Sequence, residues 1–133
     1  MDKVFIDANI FLEIFLEDSK EKSCCGFIQE AIRTKKELIT TDFIVYSCLL
    51  RIYRQRKDKG AIAHALTFLS NLPLTIIRPS LDEMHTATEQ MGLHNLDFDD
   101  SLIVACMESY GLTELASFDK HFDKVKTIKR LAL

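Results

Sequence analysis

Short apolar runs of strand length alternate along this chain with longer stretches of helical period, and the alternation limits it to few architectures. Lys3–Ile6, Leu38–Thr40, Leu74–Ile77, Thr113–Ala116 and Val125–Ile128 read as strands. Between them lie helix-like segments: Asn9–Phe15, Ser19–Thr34, the stretch from Asp42 through Tyr53, Ala61–Leu69, Ser80 to near Gly92, and Asp99 or Asp100 to Gly111. In the second of these, Cys24, Phe27, Ile28, Ala31 and Ile32 recur at helical spacing. Asn9 suits an N-cap, Gly60 reads as a break, and Asn71-Leu72-Pro73 marks a turn. Strands joined through helices by short connections pair in parallel and are covered on both faces. The expectation is an α/β fold, a three-layer α/β/α sandwich around a short parallel sheet, forming a single domain over residues 1–133.

At 133 residues the chain can bury about two thirds of its unfolded surface. Apolar residues make up 47% and charged residues 28%, ordinary values for a globular protein, so composition alone excludes little. A formal charge of −3 argues against a broadly basic nucleic-acid coat and leaves any basic surface local. The one such concentration is Arg51-Ile52-Tyr53-Arg54-Gln55-Arg56-Lys57-Asp58-Lys59. It reads either as a solvated helix end or as a contact for an RNA backbone, with Tyr53 available for stacking. No stretch approaches the roughly 18 apolar residues of a membrane span. Met1-Asp2-Lys3 runs straight into a strand without the layout of a signal peptide, so a cytoplasmic location is expected. Cys24, Cys25, Cys48 and Cys106 form no Cys-x-x-Cys pair and have no histidine at zinc-ligand spacing. Cys48 and Cys106 read as core residues, and Cys24-Cys25 as a helix segment.

Three carboxylate clusters lie where apolar runs meet loops: Asp7-Ala8-Asn9, Asp97-Phe98-Asp99-Asp100, and Asp119 to Asp123. Parallel sheets carry their sites at the carboxyl ends of strands, near the point where strand order reverses. Acids gathered there repel by roughly 3–4 kcal/mol per pair at 4–5 Å in an effective dielectric of 20. For an oxygen-only set, Mg²⁺ or Mn²⁺ offsets that repulsion. Each acid also has a plainer reading. Asp7 and Asp119 suit turns, Asp99 or Asp100 suits a helix cap, and Asp123 suits solvent. His64, His85, His94 and His121 read as surface or boundary residues without partner spacing.

Taken in order, these residues resemble a known family. Phe5-Ile6-Asp7-Ala8-Asn9-Ile10-Phe11-Leu12 is similar to the opening of a PIN domain, the nuclease fold of VapC-type toxins. Asp100-Ser101-Leu102-Ile103-Val104-Ala105 resembles its central Asp-Ala-x-x-x-Ala helix. Ala116-Ser117-Phe118-Asp119-Lys120-His121-Phe122 resembles its late Thr-x-Asp-x-x-Phe element. The resemblance spans nearly the whole chain. It implies a PIN-like sandwich that hydrolyses RNA phosphodiester bonds, with Asp7, Asp100 and Asp119 as the catalytic and metal-binding set for Mg²⁺ or Mn²⁺. Asn9 and Ser117 become polar supports. An antitoxin protein, a homodimeric state and an RNA substrate follow from the same resemblance. Phe11, Phe15 and Leu16 belong either to the core or to a groove for such a partner.

One feature of the family is missing. PIN domains carry a fourth acid, a glutamate in the helix after the second strand. Here Thr40-Thr41-Asp42-Phe43-Ile44-Val45-Tyr46-Ser47-Cys48 puts Ser47 in its place, and a shift of one residue gives Tyr46 or Cys48. A serine hydroxyl can support a metal-bound water but supplies no charge. Asp42 and Glu13 are the nearest acids that could substitute in space. Two function classes therefore stand: a toxin-type endoribonuclease, and a PIN scaffold with impaired catalysis that binds nucleic acid or protein.

Overall fold

A computed structural model describes residues 2–133. Five strands, β1 (Lys3–Ile6), β2 (Glu37–Thr41), β3 (Leu74–Ile77), β4 (Glu114–Ala116) and β5 (Lys129–Leu131), form one sheet in the order β3-β2-β1-β4-β5. Every pairing is parallel. Six helices flank the sheet: α1 (Ala8–Phe15), α2 (Glu21–Arg33), α3 (Asp42–Arg56), α4 (Lys59–Ser70), α5 (Leu81–His94) and α6 (Phe98–Ser109). The architecture is the expected three-layer α/β/α sandwich. Val4, Phe5 and Ile6 are fully buried, as a central parallel strand covered on both faces requires. Leu38, Leu115, Ile10, Val104 and Phe122 join them in the main core.

Helix boundaries follow caps more than apolar period. Thr41, fully buried, accepts the amide of Ile44 on its side chain at 3.2 Å and starts α3. That helix ends at Lys57, which takes a left-handed φ of 48°. Asp58 then caps α4 by accepting the amide of Gly60 at 2.9 Å. The break expected at Gly60 is therefore at Lys57-Asp58, and Gly60 lies inside α4. Likewise α1 is capped by Asp7 rather than Asn9, and α6 begins at Phe98 after Asp97, ahead of both Asp99 and Asp100. The last strand is displaced as well. Val125 and Ile128 are buried at the end of a short 3-10 helix, Lys120–Lys124, and only Lys129–Leu131 pairs with β4.

Phe11 and Leu16 belong to the core, at 1% and 9% exposure, which closes the alternative of a partner groove for them. Phe15 packs edge-on against Phe68 with ring centroids 5.5 Å apart. All four cysteines are free thiols. Among the described residues no helix is long and apolar enough to cross a membrane.

At the centre, β1 and β2 pair only as far as Phe5 and Ile39. The hydroxyl of buried Thr40 continues the connection by donating to the carbonyl of Ile6 at 2.9 Å. This bond fixes the point where the chain leaves β1 for Asp7. Thr40→Val, near-isosteric, should leave that carbonyl short of its donor. It should lower stability by about 1–3 kcal/mol, read as a lower urea midpoint with an unchanged m-value.

Candidate metal centre

The ladder between β1 and β4 runs one bond past the strands, from the amide of Asp7 to the carbonyl of Ala116 at 3.0 Å. Asp7 and Ser117 thus leave the sheet side by side, at the seam where strand order reverses. Asp7 is buried, with 8% exposure. Its Oδ1 accepts the amide of Ala8 and its Oδ2 accepts the hydroxyl of Ser117, each at 2.7 Å. Ser117 Oγ in turn accepts Asn9 Nδ2 at 3.2 Å and the amide of Asp119 at 3.0 Å. Asn9 Oδ1 accepts the amide of Phe118 at 3.3 Å. The side chain expected to cap α1 is thus spent on tying the loop after β4 to the first turn of that helix.

Asp100, half-buried, sits in the first turn of α6, where neither it nor Asp99 is the cap. Asp119 caps the 3-10 helix, its Oδ1 accepting the amide of His121 at 2.9 Å. The ring Nδ1 of His121 lies 3.0 Å from the same oxygen. Among the described residues one set of three possible metal ligands draws together: donor atoms of Asp100, Asp119 and His121 lie within 4.8 Å of one another. Asp7 stands outside that tight set, but its charge is felt by Asp100, and it feels Asp119 and Asp99.

The electrostatics record the crowding. Burial pushes the Asp7 carboxyl above the usual carboxylate range, working against its bonds from Ser117 and Ala8, and the charges on Asp119 and Asp99 add to the rise. Asp100 is pushed up to about 6, first by burial and then by Asp99, Asp119, Asp7 and Asp97. Acids in this condition gain from any cation placed among them. Aspartate oxygens with one imidazole fit a divalent ion such as Mg²⁺ or Mn²⁺.

Ser47 is exposed, and its hydroxyl donates to the carbonyl of Phe43 at 2.8 Å within its own helix. It lines a groove of about 300 Å³ with Ala8, Leu12, Leu50, Arg51 and Arg54. Tyr46 is exposed, and Cys48 is buried with Sγ 3.8 Å from the carbonyl oxygen of Ala8. Asp42 accepts the amide of Phe43 and pairs with Arg78 at 3.5 Å. Glu13 accepts the amide of Lys20 at 3.4 Å. Neither Asp42 nor Glu13 belongs to the tight set.

Two contributors were not singled out by the sequence reading. His121 is exposed, as expected, yet it has partners; the signal was an Asp-x-His spacing across a turn, which puts both side chains on one side. Arg130 on β5 donates from Nη1 to the carbonyl of Ser117 at 3.2 Å. It also grips Asp123 through Nε and Nη2 at 2.8 and 3.1 Å, so exposed Asp123 is paired rather than merely solvated. No local sequence pattern marks that clamp.

A family profile for the PIN domain matches residues 4–128. The chain belongs to the PIN-domain family. Several solved structures share the PIN fold with it. VapC20 of Mycobacterium tuberculosis, described as a toxin that cleaves the sarcin-ricin loop, is 18% identical with a TM-score of 0.74, over 92% of this chain and 95% of that one. VapBC2 of Rickettsia felis, solved bound to a DNA fragment from its promoter, is 13% identical with a TM-score of 0.76, over 97% of each chain. A toxin-antitoxin complex from Klebsiella pneumoniae is 16% identical with a TM-score of 0.65, over 95% of each chain. No curated protein matches it.

The raised Asp100 carboxyl makes metal-free stability depend on pH. In the folded chain it holds its proton up to about pH 6, in the unfolded chain only to about pH 4. Between those values folding takes up a proton, so stability from this group rises as pH falls. Thermal melts of the metal-free PIN domain should gain a few degrees relative to Asp100→Asn between about pH 7 and pH 4.5. Saturating Mn²⁺ should reverse that trend, because the ion requires the ionised carboxylate.

Proposed function

We propose that this PIN domain is a metal-dependent endoribonuclease that hydrolyses RNA phosphodiester bonds, as the toxin of a toxin-antitoxin pair. The observation that carries the reading is the approach of Asp100, Asp119 and His121 donor atoms to within 4.8 Å of one another, with Asp7 at the β1/β4 seam near enough for its charge to raise the Asp100 carboxyl. Asp7, Asp100 and Asp119 would hold Mg²⁺ or Mn²⁺, which when bound offsets phosphate charge and lowers the pKa of water.

The chain's own groups prepare the rest. Ser117 and the amide of Ala8 fix both oxygens of Asp7, and Asn9 holds the backbone that carries Asp119 in register with it. Arg51 and Arg54 line the groove that begins at Ala8, one residue from Asp7, and offer charge to the phosphates of a strand approaching the seam. Exposed Tyr53 on the same helix offers a face for a base. The net charge of −3 is compatible with this, because a local basic run, Arg51 to Lys59, begins in the last turns of α3. An RNA substrate implies work in the cytoplasm. Exposed Leu50, Leu81 and Leu93 give an antitoxin or a second copy apolar surface to cover.

Cleavage of labelled RNA is the test. The wild type should cleave with Mn²⁺ or Mg²⁺ and stop when the ion is chelated. Asp100→Asn and Asp119→Asn should each lower the rate by about 10²–10³-fold, with circular dichroism showing an intact fold.

A second reading has one observation in its favour: Ser47 leaves the place of the fourth acid without charge. On that reading the domain is a binding module, and the wild type retains RNA or a protein partner with no cleavage under either ion. Ser47→Glu separates the two. Since Ser47 is exposed, a glutamate there carries no burial cost, and metal-free stability should shift by less than about 0.5 kcal/mol. In a weakened nuclease the new carboxylate should tighten Mn²⁺ binding and raise cleavage by about 1–3 orders of magnitude. A variant with unchanged Mn²⁺ affinity and no cleavage would remove position 47 from the site.

A further inference from the structure

We propose that His121 is a nitrogen ligand of the metal centre and that it makes the centre favour Mn²⁺ over Mg²⁺. The inference rests on the metal-binding part of the proposed function and not on RNA cleavage. Its starting point is a distance. His121 Nδ1 and Asp119 Oδ1 stand 3.0 Å apart. Neighbouring donors around an octahedral ion with bonds of about 2.1 Å are about 3.0 Å apart, and opposite donors about 4.2 Å. The set of Asp100, Asp119 and His121, with all donor atoms inside 4.8 Å, can close on a single ion with small rotations.

The local backbone favours this use of the ring. Asp119 Oδ1 accepts the amide of His121 at 2.9 Å, which folds the turn so that carboxylate and imidazole share one side. The imidazole side chain is 66% exposed, so it can turn onto an ion without disturbing the core. It also answers the missing acid. Asp100 already carries the repulsion of Asp99, Asp119, Asp7 and Asp97. A fourth carboxylate would add to that load, whereas a neutral imidazole joins Asp100 and Asp119 as a third donor and adds no negative charge. The choice of donor has a chemical consequence. Mg²⁺ binds oxygen and gives up water reluctantly, while imidazole suits first-row divalent ions.

Calorimetric titrations of the full chain with MnCl₂ and MgCl₂ test the preference, and pulsed electron paramagnetic resonance of the Mn²⁺-loaded protein tests the ligand. The wild type should bind Mn²⁺ at least about tenfold more tightly than Mg²⁺. His121→Ala, at an exposed position and checked for folding by thermal melt, should lose about tenfold or more in Mn²⁺ affinity. Its Mg²⁺ affinity should stay within about twofold. The ¹⁴N hyperfine coupling of the wild type should disappear in the variant. A wild type that binds no Mn²⁺ or shows no nitrogen coupling overturns the inference. So does a variant that loses both ions equally, since His121 would then act through general electrostatics. Nitrogen coupling in a protein that cleaves no RNA leaves the inference standing and removes the ribonuclease reading; cleavage without the coupling does the reverse.

Discussion

The parallel pairing of β1 with β4 is the constraint on which the rest of this molecule depends. It joins the first strand to a strand more than a hundred residues later in the chain. It also creates the reversal in strand order that opens a crevice at the carboxyl ends. The paired residues themselves, Phe5 with Leu115 and Ile6 with Ala116, are all fully buried. One hydrogen bond further on, the same ladder delivers Asp7 next to Ser117. The site is thus the edge of the core, and its side chains inherit their positions from apolar packing.

That inheritance sets fold against charge. The core edge that orients Asp7 also removes it from water, and α6, buried along Ser101–Met107, brings Asp100 to the same rim. Burial is the leading cause of the raised carboxyls, with the neighbouring acids adding to it. The compensating bonds go to Asp7, which has two donors for its two oxygens. Asp100 is left as the acid whose ionisation depends most on company. Acids crowded and part-buried in this way gain from any cation placed among them.

Architecture was legible in the sequence because strand runs and helical periods differ in length and rhythm, and a parallel sheet tolerates little else. The acids were legible because their positions at element ends repeat a family pattern. Boundaries were less so, since they depend on which polar side chain captures a free amide. Asp7 and Asp58 captured amides at cap positions that apolar rhythm does not mark, Asp97 took a cap position by its extended backbone alone, and Asn9 was drawn away by Ser117 and Phe118. The last strand slipped because Val125 and Ile128 satisfy the core without joining the ladder. The roles of His121, read as a surface residue without partner spacing, and of Arg130 were missed for a different reason. They arise from a turn and from a contact across thirteen positions, which composition and period do not encode.

The bond between Ser117 and Asp7 spans 110 positions of sequence, and that between Asn9 and Ser117 spans 108. Contacts this distant form late, because the loop they close must first be ordered. A chain emerging from the ribosome can fold α1 and α2, and then the β1-β2-β3 half of the sheet, while β4 is still being synthesised. Until β4 docks, Asp7 has neither Ser117 nor Asp119 beside it, and the acids remain scattered. Assembly of the acid rim therefore waits on the docking of β4 against β1, and a partner that recognises the assembled rim meets only molecules in which that docking is done.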